Sequence, residues 1–157
     1  MMAGVERSRA IAGARYVAQL CADARIRAIG RSAVVALRFE EYRGDILIQM
    51  FVDGNRNGIR SKDIAAGVDA PLGPAASLSV HFPTVRLGIA PDLGLGSDPV
   101  QIGPSNLLSF TPVGTATSGS IFIVGQDGTQ FAVRVLGATA RTRLQRFDRQ
   151  TRTWMDH

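Results

Sequence analysis

One cysteine, one lysine and two histidines are all that the 157 residues hold of these types, and each scarcity closes off a chemistry. Cys21 has no partner for an internal disulfide, so packing must hold the fold, and a lone thiol suits a reducing or an oxidising compartment equally. A hydrolase needs a nucleophile beside a base that a third group orients. Here His157 is the terminal residue, expected to fray, and His81 sits in Val80-His81-Phe82-Pro83, where a structural or surface role is the simpler reading. Cys21 lies among small apolar residues and reads as a packing residue rather than a reactive thiol. The acidic residues are scattered without a paired-carboxylate pattern, and neither a phosphate loop nor a zinc-ligand cluster is present. The expectation is a protein that is not an enzyme and takes no small-molecule substrate.

Long apolar runs are also missing. No stretch reaches the ~18 to 20 uninterrupted apolar residues that a membrane-spanning helix requires, and the first residues lack the pattern of a signal peptide. Charge is lopsided in kind: Lys62 is the single lysine among 18 basic residues, set against 13 acidic ones for a net charge of +5. An arginine bias of this sort reads first as the composition of a GC-rich genome, with a polyanion-binding surface as the alternative. Hydrophobic residues make up 45% of the chain, enough for the core of one compact domain and too little chain for two.

What is present is ordered by period. Over residues 5–31, Ala10, Ala14, Val17, Cys21, Ala24 and Ala28 recur every three or four positions with arginines between them, which predicts an amphipathic helix with a narrow stripe of small residues. Such a helix is marginal alone and must dock on something else. Alternation then takes over: residues 35–40 and 46–52 read as two strands joined through Tyr42-Arg43-Gly44-Asp45. Residues 53–106 are loop-rich, with short strands expected at 78–80 and 85–89. Strands are expected again at 107–110, 121–124, 130–136 and about 139–147, with Asp127-Gly128 as a hairpin signal and a short strand near Trp154. One helix followed by seven or eight antiparallel strands predicts an α+β domain, in which residues 1–32 carry the helix and 33–157 a β-rich head.

The sharpest local motif is Asp53-Gly54-Asn55-Arg56-Asn57-Gly58. Oxygen side chains at loop positions one, three and five with glycine at six match the first half of an EF-hand calcium loop, making Asp53, Asn55 and Asn57 the candidate metal ligands. The second half departs: position twelve is Ile64, the nearest acid is Asp63, and Arg56 sets a positive charge in the loop. The simpler reading is a turn in which Asp and Asn side chains bond their own backbone, with no cofactor; a calcium-binding or adhesion module is the alternative.

Three segments in order carry a family resemblance. They are the Ala-Arg helix of residues 22–32, the hairpin ending Phe51-Val52-Asp53-Gly54-Asn55-Arg56-Asn57-Gly58, and the C-terminal series Leu108-Ser109-Phe110-Thr111-Pro112-Val113-Gly114, Ser118-Gly119-Ser120-Ile121-Phe122-Ile123 and Phe131-Ala132-Val133-Arg134-Val135. Together these resemble the GspH/FimT pseudopilin domain. The resemblance implies a pilin-like fold and a non-catalytic minor pseudopilin of a type II secretion system or type IV pilus, assembling at or near the fibre tip. Its expected partners are other pilins and the inner-membrane assembly machinery, and its expected place is the inner membrane with a periplasmic head. The family's leader and apolar half-helix are not in this sequence, so Met1 or Met2 is expected to be an internal residue of a longer natural chain. The stripe Ala10, Ala14, Val17, Cys21, Ala24 and Ala28 is the expected assembly face, with docking on the domain's own sheet as the alternative, the two being compatible at different ends of the helix. Some members are associated with DNA uptake through a Gly-Arg-x-Arg strand; Ala140-Arg141-Thr142-Arg143 is its counterpart, and Arg134, Arg141, Arg143 and Arg146 are the candidate DNA contacts.

Overall fold

A computed structural model describes residues 2–157, with side chains from Gly4 onward. The helix α1 (Met2–Arg31) is thirty residues long, about 45 Å of rise. It ends where Ser32 turns to a φ of 51°, while the Ser32 and Ala33 amides donate back to the carbonyls of Ile29 and Ala28. That pair of bonds is a Schellman cap, with serine in the left-handed position usually taken by glycine.

Beyond the cap the chain forms eleven strands rather than the seven or eight expected. Strands β1 (Val35–Tyr42) and β2 (Asp45–Val52) pair in full register around a two-residue turn in which Arg43 and Gly44 both take positive φ. The other main strands are β7 (Leu107–Phe110), β8 (Gly119–Val124), β9 (Gln130–Leu136), β10 (Arg141–Asp148) and β11 (Thr153–Asp156). The additional ones are two-residue pairs: β3 (Ala70–Pro71) and β4 (Ala76–Ser77) on β2, and β5 (Arg86–Leu87) and β6 (Val100–Gln101) on β8. Residues 78–80, expected as a strand, instead belong to the single-turn helix α3 (Leu78–His81), because a three-residue apolar run carries no period to separate the two states. A further short helix, α2 (Ser61–Ala65), interrupts the loop after β2.

Two antiparallel sheets result. One runs β3-β2-β1-β7 with β4 beside β2, and the other β11-β10-β9-β8-β5 with β6 beside β8. Helix α1 touches β1 and β7 of the first and β8, β9 and β10 of the second. One continuous core therefore contains the helix stripe, Val35, Leu37 and Phe39 from the first sheet, and Ile121, Ile123, Phe131, Val133 and Val135 from the second. Small residues on the helix let its axis come close to both. The start of α1 is tied down as well: the Thr84 hydroxyl donates to Glu6 Oε2 at 2.6 Å, and Arg9 bonds the other oxygen at 3.3 Å.

Candidate functional site

All six stripe residues, Ala10, Ala14, Val17, Cys21, Ala24 and Ala28, are fully buried against the domain's own sheets. Over residues 10–28 the stripe docks on the domain's own sheets. What α1 turns outward includes Val5, Ile26 and Ile29, each at least half exposed. Burial pushes the Cys21 thiol up to about 12, so it stays protonated and inert at neutral pH. The histidines have structural neighbours. His81 lies with its ring centroid 5.2 Å from that of Tyr16, and His157 is anchored rather than frayed: its amide donates to Leu144 O at 2.9 Å and its ring meets Phe131 edge-on.

The four candidate arginines of the closing strands do not act as one patch. Arg134 on β9 is half-buried under Trp154, 4.8 Å from the ring centroid, and donates to Gln145 Oε1 at 2.6 Å and Ser120 Oγ at 2.9 Å. Desolvation, with Arg143 as a neighbouring positive charge, lowers its pKa. Two of its five N–H donors are used inside the sheet, and its stacking on Trp154 ties β11 to β9. Arg146 projects to the other side of β10, where it lines a separate groove with Arg7 and Arg149.

Arg141 and Arg143 share one face of β10, opposite the face on which α1 packs, since Arg143 pairs with Arg134 while Leu144 pairs with the core residue Val133. A groove of about 660 Å³ opens between α1 and β10, lined by Arg25, Ile26, Leu136, Arg141, Thr142 and Arg143 among others. It exists because β11 pairs only with Gln145–Asp148 of β10, which leaves residues 141–143 as an open sheet edge. Arg25 follows stripe residue Ala24 by one position, so its stem lies along the helix–sheet seam; its Nε is buried without a hydrogen-bond partner. That offset from the stripe was the available signal, hidden among the many arginines of the helix. Arg141 has no ion pair among the described residues, whereas Arg143 makes a two-pronged bond to the Asp156 carboxylate at 2.8 and 2.9 Å.

The turn ahead of Arg141 also bears on the missing glycine. Ala140 takes a φ of 56°, the left-handed geometry that glycine favours, at a cost of about 1 kcal/mol to an L-residue. Its methyl is buried, so the backbone shape is kept while the side chain serves the core. Gly137 in the same turn is required for another reason: a Cβ there would stand 2.7 Å from the Ala116 carbonyl oxygen.

The Asp53 loop is built from hydrogen bonds within the chain. Asp53 Oδ1 accepts from the amides of Asn55 and Arg56, and Oδ2 from Gly58 at 2.7 Å. The Asn55 and Asn57 side-chain amides both donate to Asp63 Oδ2, at 3.4 and 3.2 Å. Each of these bonds closes within the loop itself, the pattern of a self-bonded turn. Among the described residues no group of three or more His, Cys, Asp or Glu converges as metal ligands, and no helix is long and apolar enough to cross a membrane. No family model matches the chain, and neither does any curated protein or solved structure with which it was compared.

Proposed function

We propose that this chain is the head of a pilin-like structural subunit, a minor pseudopilin of a type II secretion system or type IV pilus machinery that acts by packing at or near a fibre tip. The observation that carries the reading is the way α1 lies across two antiparallel sheets on a stripe of small residues, in the chain order helix, hairpin, loop region, closing strands. A long helix docked in this manner keeps its outward side free for neighbouring helices, and Val5, Ile26 and Ile29 supply apolar contacts there. On this reading the subunit sits in the inner membrane with this head in the periplasm. Chemistry is not its task; shape and surface decide which neighbour it meets.

Site-specific crosslinking tests this. Because Cys21 is buried and protonated, a cysteine placed at Val5 or Ile26 is the one reactive thiol. In the native host, V5C or I26C is expected to give maleimide crosslinks to other pilin-like subunits in the envelope fraction. A full-length protein found only in the cytosol, without such adducts, would overturn the reading.

The groove favours a second reading, in which the subunit also binds DNA. Arg141 and Arg143 stand on one face of β10 at an open strand edge that a phosphate backbone can approach. The expected signature is duplex DNA binding that falls steeply as salt rises and is lost, by tenfold or more on the order expected for two phosphate contacts, in the R141A/R143A double variant. Full affinity in that variant at low salt would remove this reading and leave the assembly role standing.

A further inference from the structure

The first sheet has two covers with a seam between them. Helix α1 packs on β1 and β7, while α3 and the loop of residues 72–76 lie over β2 from the other side. At the seam is a cleft of about 360 Å³ that narrows onto Leu37 of β1 and onto Ile48 and Met50 of β2. One wall is the side of α1 that carries Tyr16, Leu20, Asp23 and Arg27, residues three or four positions apart and so on one helix face. The other wall is fixed to the sheet: the Leu72 amide donates to Met50 O at 2.7 Å, and Gln49 Nε2 donates to Gly73 O at 3.1 Å. His81 lines the cleft beside Tyr16, with ring centroids 5.2 Å apart. An apolar interior with a few polar groups at its margin, on walls already in place, is the form of a small-molecule site.

The margin holds charge of both signs that the protein leaves largely unused. Asp23 and Arg27 stand four positions apart, the spacing of a helical ion pair, yet no ion pair joins them. Half-buried Asp23 accepts from Gln19 Nε2 at 3.0 Å with one oxygen, and Arg27 bonds nothing among the described residues. A simple aliphatic carboxylate would suit Arg27 and be repelled by Asp23, and an alkylamine would meet the reverse. A molecule carrying both charges on one carbon satisfies both groups. We propose that this cleft binds a free α-amino acid with a large apolar side chain, its carboxylate on Arg27, its ammonium on Asp23 and its side chain between Leu20, Leu72 and Met50. Neither reading above depends on this cleft, and it depends on neither.

NMR titration of the isotopically labelled protein tests it. L-leucine and L-phenylalanine are expected to bind with a Kd of about 1 mM, with amide shifts confined to the residues around Leu20, Leu72 and His81. Leucinamide lacks the carboxylate and 4-methylpentanoate lacks the ammonium, so each is expected to bind about fivefold more weakly than leucine, the loss of one solvent-accessible ion pair. R27Q is expected to weaken leucine about fivefold without weakening leucinamide, and D23N to weaken leucine without weakening 4-methylpentanoate. Ala75 is an exposed residue of the loop wall, and A75W is expected to fill the cleft and abolish binding while leaving the thermal midpoint unchanged.

Absence of shifts with either amino acid up to about 50 mM would overturn the proposal. Leucine binding that survives A75W places the ligand elsewhere and overturns it too. Equal affinity for leucine, leucinamide and 4-methylpentanoate would show a cleft that reads apolar shape alone, and the ligand class falls. If R27Q weakens leucinamide as much as leucine, Arg27 does not hold the carboxylate and the zwitterion geometry is refuted.

Discussion

Replacing Gln130 by leucine is expected to destabilise the domain by about 3 kcal/mol, several times what a surface substitution costs. Gln130 is fully buried at the start of β9, and its amide is used completely. Oε1 accepts from the Ala90 amide at 2.8 Å, while Nε2 faces the carbonyl oxygens of Gly88, Ile123 and Phe131 at 3.0, 3.0 and 3.1 Å. Leucine has nearly the same volume, so the loss comes from polar groups and not from a cavity. The Ala90 N–H is left buried without an acceptor, and the two Nε2 hydrogens, shared among three carbonyls, are lost, at about 1 kcal/mol per bond after exchange with water. For a domain of this size each kcal/mol shifts the midpoint by roughly 2–4 °C, so thermal denaturation should read a fall of about 6–12 °C. Q130E is expected to be at least as damaging at neutral pH, because its second oxygen would face three carbonyls that can donate nothing. Melting of Q130L within about 2 °C of the wild type would show that these bonds do not secure the segment carrying β5 to the second sheet.

Gln130 also marks where the sequence stops being legible. As a polar residue entering a strand after Asp127-Gly128 it looks like an ordinary hairpin position, and the hairpin is there: Asp127 accepts from the Thr129 amide and hydroxyl, and Val124 pairs with Gln130. What local pattern cannot reveal is that residues 88–90 return to cover it. The same division holds elsewhere. Helix α1 and the β1–β2 hairpin follow from period and turn residues, which act within a few positions of one another. Strands β3, β4, β5 and β6 are two residues each, too short for alternation to register, and exist only because β2 and β8 offer them an edge. At the groove, alternation along β10 correctly brings Arg141 and Arg143 together. The parts supplied from afar, Arg25 on α1 and Asp156 on β11, depend on tertiary placement, as does the stacking that withdraws Arg134 from the surface.

The Asp53 loop gives the second large effect, and its key residue lies outside the motif that drew attention to it. Asp69 is fully buried, accepting from the Gly54 amide with Oδ1 and from the Arg60 amide with Oδ2, each at 3.0 Å. One carboxylate thus staples both halves of a loop whose other bonds are made by Asp53 and Asp63. Backbone bonds to an ionised acceptor are worth about 1.5–3 kcal/mol each, so D69A is expected to cost about 3–5 kcal/mol. Hydrogen exchange should accelerate first over residues 53–69, with the midpoint falling by roughly 6–20 °C. D69N is expected to lose less, since its remaining oxygen can keep one amide. Asn55→Ala is a contrast within the same loop: its amide reaches Asp63 at only 3.4 Å, near the limit of a hydrogen bond, and its removal should cost under about 1 kcal/mol. The close backbone approach beside Asp69 explains why the loop needs that clamp. Gly54 passes so near the Val68 carbonyl that a Cβ would stand 1.9 Å from its oxygen. Two peptide segments held this tightly without a side chain between them depend on the carboxylate that joins them, and if D69A and N55A melt alike, that dependence is refuted.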